Sequence, residues 1–95
     1  MFTKNQIEEI DILKELCSGV EVNGASVVCF DILSDIVHGN KDISSISKED
    51  LLLMKKQFHD YKDFWSEADW YDNRVFLELL PRLDEVINGE LLKFQ

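Results

Sequence analysis

Cysteine is scarce in this chain: Cys17 and Cys29 are the only two. A disulfide scaffold or a four-ligand zinc site needs more soft ligands in close pairs, so both read as small buried apolar residues. No apolar run opens the sequence, because Glu8, Glu9 and Asp11 arrive almost at once, and no stretch approaches membrane-spanning length. Also missing are a Gly-rich phosphate loop, an H-E-x-x-H pair, a G-x-S-x-G elbow and an EF-hand ligand series. These gaps lead us to expect a cytoplasmic protein that is not an enzyme, with no catalytic residues, no metal site and no cofactor.

Positive charge is the next shortage. Ten Lys and Arg face nineteen Asp and Glu, a formal net charge of -9 with a sequence pI near 4.5. Such a surface repels nucleic-acid phosphates and anionic headgroups and attracts basic protein surfaces, so neither nucleic acid nor membrane is expected as a partner. The excess is uneven. Residues 58–72 carry five acids and one base, whereas residues 1–57 carry ten acids and six bases and residues 73–95 carry four and three.

What is present suits one globular domain over residues 1–95: the length is enough for a modest core, and 45% of the residues are hydrophobic. "FTKNQIEEIDILKELCSG" starts with a capping-box pattern, Thr3 with Gln6, and has the Phe2 and Ile7 spacing of a hydrophobic staple. Ile7, Ile10, Leu13 and Cys17 then recur at helical intervals, and Gly19 is placed to end helix 1. In "VEVNGASVV" the Asn23-Gly24 pair is a hairpin signal. The spacing of Val28, Cys29, Ile32, Leu33, Ile36 and Val37 favours helix 2 instead, with an extended lead-in at residues 20–22, a cap at Asn23 or Ser26, and a stop at Gly39.

After the polar "GNKDISSIS", Ser47 and Asp50 repeat the capping pattern. Leu51, Met54, Phe58, Tyr61 and Trp65 step by three and four along one side of helix 3. Asp72 or Asn73 can cap helix 4, whose Phe76, Leu79, Leu80, Leu83, Val86 and Ile87 form a broad apolar face ending at Asn88-Gly89. Leu91, Leu92 and Phe94 then dock back. The fold class expected is all-α, a small four-helix bundle with the last helix kinked at Pro81.

The segment "HDYKDFWSEADWYDN", His59 to Asn73, concentrates aromatic and acidic side chains. Tyr61 and Trp65 belong to the inward stripe of helix 3, while Asp60, Asp63 and Glu67 fall on the opposite face at about 100° per residue. Phe64, Trp70 and Tyr71 are left without a helical repeat to bury them. Exposed Trp and Tyr supply much of the contact energy at protein interfaces, and the flanking Asp69 and Asp72 add charge that steers a basic partner. Elsewhere, His38 lies at a helix end where the dipole favours it, and His59 reads as solvated. Asp31 with Asp35 offers too few ligands for a divalent cation, and Glu78 with Arg82 is spaced as an ordinary surface pair.

The back half, "LLLMKKQFHDY", "KDFWSEADWYDN" and "RVFLELLPRLDEV", together with "ELCSGVEVNGASVVCFDIL", resembles the small bacterial immunity proteins of the colicin D type, including those of contact-dependent growth inhibition systems. That resemblance implies a protein that binds a tRNA-cleaving toxin domain made by the same cell and covers its basic cleft. Asp60, Asp63, Glu67, Asp69 and Asp72 would stand where RNA phosphates lie, with Trp70 and Tyr71 as anchors. The same residues leave other uses open: a phage-type nucleic-acid mimic directed at a host defence nuclease, or a helical module that pairs weakly with itself, the chain otherwise being a monomer. A small metal-dependent hydrolase would need histidines and carboxylates converging from different helices.

Overall fold

Thr3 opens the first helix as its spacing predicts. The computed structural model describes residues 2–22, 24–66 and 74–95, with the backbone alone at residues 22, 63–66 and 75. Helix α1 spans Lys4–Leu16. The Thr3 hydroxyl accepts the Gln6 N–H at 3.1 Å, and the Gln6 side chain accepts the Thr3 N–H at 2.9 Å, closing the capping box. Ile10 and Leu13 are wholly buried and Cys17 nearly so, three of the four residues of the predicted stripe, while Ile7 is only partly buried.

The hairpin signal is real. Strands β1 (Glu21–Val22) and β2 (Ala25–Ser26) pair antiparallel, Glu21 opposite Ser26 and Val22 opposite Ala25, with Gly24 at φ +80°. Helix α2 therefore starts only at Cys29 and runs to Val37. Neither Asn23 nor Ser26 is its cap residue, as expected from sequence; that position is Val28, whose own side chain caps nothing. The cap comes from Gln57, 29 residues further on: its carbonyl oxygen accepts the Val28 N–H at 3.0 Å and the Cys29 N–H at 3.1 Å. Its amide donates to the Ser26 carbonyl at 2.8 Å. One buried amide thus satisfies helix-end donors that a local Ser or Asp usually serves.

Gly39 closes α2 as predicted: with φ +79°, a conformation in which a side chain is strained, it lets its N–H reach the Ile36 carbonyl at 3.1 Å. The following loop holds a 3-10 turn at Ile43–Ser45, capped by Asp42, and it buries Ile46. Ser47 Oγ accepts the Asp50 N–H at 3.1 Å and opens helix α3, Lys48–Ser66. Leu51, Met54, Phe58 and Tyr61 are all buried along its inner side.

Helix α4 spans Arg74–Leu91 and contains Pro81. It passes through Asn88-Gly89, where sequence placed its end. Gly89 has no left-handed φ, Asn88 accepts a hydrogen bond from Lys55 Nζ at 2.8 Å, and continuing the helix seats Leu91 against the core. A 3-10 turn, Leu92–Phe94, follows. Docking of the last residues is only partial, since Leu92 stays 63% and Phe94 45% exposed.

The described chain is mostly helical, with one short two-stranded ribbon. Helix α1 packs on α2 and α4, and α3 on α2 and α4, so the helix contacts close a ring around one core. Between α3 and α4, Lys55 meets Asn88 and His59 meets Asp84, a descending series that makes the two helices antiparallel. No described helix is long and apolar enough to cross a membrane.

Candidate functional site

The acid-rich segment is framed by buried aromatics on both sides. On α3, Phe58 and Tyr61 are fully buried; on α4, so is Phe76. All three meet Phe30 of α2 edge-on, with ring centroids 5.3, 5.3 and 5.9 Å from it. Edge-to-face pairs of this kind add about 0.5–1.5 kcal/mol beyond the area they bury. Phe30 therefore pins the end of α3 to the start of α4.

Of the predicted contact residues, Asp60 is the one whose side chain is described. It is half-buried on α3, and Lys56 Nζ lies 2.6 Å from its carboxylate, one turn back. This i,i+4 pair compensates the Asp60 charge locally. Asp63 and Phe64 lie on α3, with side chains outside the described residues; Glu67, Asp69, Trp70, Tyr71 and Asp72 lie outside them altogether, as do the Trp65 side chain and the caps Asp72 and Asn73.

Both histidines do more than their spacing suggests. His59 is not simply solvated: its Nε2 lies 2.9 and 3.0 Å from the two Asp84 oxygens and bridges α3 to α4. His38 Nε2 lies 2.8 and 3.0 Å from the Asp11 oxygens and ties α2 to α1. Ser34, one turn before His38, donates its hydroxyl to Asp11 Oδ1 at 3.0 Å. Serine, histidine and aspartate thus meet, but both partners converge on the carboxylate, and among the described residues no hydrogen bond joins Ser34 to His38. The cluster holds helices together and does not make a nucleophile. The serine and histidine, four residues apart, share a helix face in the sequence, but nothing local points to Asp11.

Burial acts to raise the Asp11 carboxyl, yet hydrogen bonds from His38 and Ser34 and the charges of His38 and Lys14 outweigh it, holding the group below its ordinary value. A carboxylate depressed in the folded state stabilises above its unfolded pKa and loses that contribution as pH falls through the folded value. The stability gap between wild type and Asp11→Asn is accordingly expected to be about 0.2–1 kcal/mol at neutral pH, as for exposed ion pairs, and to close below about pH 4. Urea denaturation of both proteins across that range checks it.

The thiols are inert. Burial pushes Cys17 up to about 11 and Cys29 higher still. Among the described residues, no three His, Cys, Asp or Glu side chains converge as a metal site. Arg82 pairs with Glu85 at 3.4 Å. Compared with known protein families, curated proteins and solved structures, the chain matches none.

Proposed function

We propose that this protein is a non-enzymatic immunity protein, which binds a basic nuclease toxin of the tRNase type and neutralises it by covering the active cleft. One observation carries the reading: five carboxylates and one lysine fall in residues 58–72, beside the indole of Trp70 and the phenol of Tyr71. The end of α3 and the start of α4 bracket this segment with opposite partial charges, so the helix dipoles largely offset and the side chains set the field. Asp60 meets Lys56, and Asp63, Glu67, Asp69 and Asp72 are the remaining acids of this segment proposed to meet a basic partner. Phe64, Trp70 and Tyr71 supply the apolar contact. On this reading α1 to α4 form a four-helix bundle and α4 bends at Pro81, whose ring removes the N–H that the Leu77 carbonyl would accept. The protein acts in the cytoplasm, without cofactor.

Carboxylates placed where phosphates would bind speed encounter and exclude substrate from the same cleft. The test is calorimetric titration of the toxin domain encoded beside this gene with wild type, Asp69→Lys, Trp70→Ala and Asp72→Lys. Trp70→Ala is expected to weaken binding about 30-fold, the equivalent of a 2 kcal/mol anchor. Each charge reversal slows association and flattens its salt dependence. Unchanged affinity in all three variants removes the surface, and with it this reading.

A further inference from the structure

At the far end of α3 and α4 from the acid-rich segment lies a different surface. Helix α4 has 18 residues, so at about 1.5 Å of rise each its two ends stand roughly 27 Å apart. There, a cavity of about 330 Å³ opens between α1, the end of α2 and the 3-10 turn. Phe2, Ile7, Ile36, Val37 and Ile43 line it, with the Asp42 carboxylate on its lip. Phe2 and Ile7 belong to the α1 side of its lining, and none of these five apolar side chains is fully buried.

Beside this hollow stands an unburied apolar projection. Leu92 and Phe94 are 63% and 45% exposed, and Lys93 lies between them. Lys93 Nζ is 2.8 Å from Glu90 and still 60% exposed, so its ammonium can take a second acid. It is also near enough to Asp42 to help hold that carboxyl down, after the Ser44 N–H and hydroxyl that the carboxylate accepts. Because α3 and α4 run antiparallel and the 3-10 turn leads into α3, hollow and projection lie at the same end of the fold, each carrying one charge of opposite sign.

That layout suits a two-fold contact, in which the same patch serves both copies and each half meets its complement. Charge argues for a like partner as well. In a chain of net charge -9, Lys41 and Lys93 here balance Asp42 and Glu90, so two copies meet with little repulsion and a basic partner gains little. We propose that this face is a homodimer interface, in which Phe94 and Leu92 of each copy fill the cavity lined by Phe2, Ile7, Ile36, Val37 and Ile43 of the other, and Lys93 pairs with Asp42 across the two-fold axis. The contact uses none of the residues proposed to bind the toxin.

Sedimentation equilibrium over a wide range of protein concentration tests the proposal, with circular dichroism to verify the fold of each variant. Wild type is expected to show a monomer–dimer equilibrium, and Phe94→Ser, at an exposed position that folding does not need, to weaken it about 30-fold. Asp42→Lys and Lys93→Asp each bring like charges together and weaken the dimer. The double variant restores the pair with its signs exchanged and recovers most of the affinity. A wild type that stays monomeric throughout overturns the proposal, as does a dimer indifferent to Phe94→Ser or a double variant no better than its parents. Toxin affinity of Phe94→Ser stays at the wild-type value, so failure here is distinguishable from failure of the immunity reading.

Discussion

Phe30→Ala is expected to lower the unfolding free energy by about 3–5 kcal/mol, read as a drop in the urea midpoint with little change in slope. The side chain is 1% exposed and meets Phe58, Tyr61 and Phe76 edge-on, so truncation removes three ring contacts and leaves a hole among aromatics that cannot easily collapse into it. A domain of this length has about 5–15 kcal/mol in all, and the variant sits near the edge of folding. Losing the pin also frees the end of α3 from the start of α4. On the proposed immunity reading, a toxin titration at a temperature where the variant is still folded should show weaker binding, although Phe30 lies in the core. A loss under about 1 kcal/mol would mean that the aromatic cluster is not the keystone described here.

The second large effect belongs to Gln57. Gln57→Leu is nearly isosteric, yet it strips partners from the Val28 and Cys29 N–H groups and from the Ser26 carbonyl. Each buried group left without a partner costs about 1–3 kcal/mol, and water can reach the less buried Ser26 and Val28 ends, so the expected loss is about 2–4 kcal/mol. Gln57→Glu keeps the acceptor for both N–H groups and loses only the donor to Ser26. Its carboxylate also faces a helix N-terminus, which favours negative charge, so at neutral pH it should be the milder change. Denaturant unfolding of both variants gives the comparison, and equal losses would show that the Ser26 bond, not the helix cap, is what matters.

Gln57 also marks where local reading of the sequence stops. The start of α1 was legible because Thr3, Gln6, Phe2 and Ile7 lie within one turn, and the inner side of α3 because Leu51, Met54, Phe58 and Tyr61 repeat at the helical interval. The start of α2 was not, since its capping group comes from another helix and the Asn23-Gly24 hairpin takes residues assigned to its approach. Asn88-Gly89 misled in the opposite direction. A strong local stop signal lost to the packing of partly buried Leu91 against the core shortly after it, a case of tertiary packing overriding propensity. At the candidate site the charge imbalance was plain in the sequence. The Lys56 and Asp60 pair was equally readable from its i,i+4 spacing, whereas the His59 and Asp84 bridge spans 25 residues and no local pattern announces it.

The two thiols give the core a built-in clock. Cys17 and Cys29 are sealed among apolar side chains and held in the unreactive protonated form, so an alkylating reagent must wait for the structure to open around them. Their modification rate thus counts opening events, and any partner that binds only the folded chain lengthens the wait.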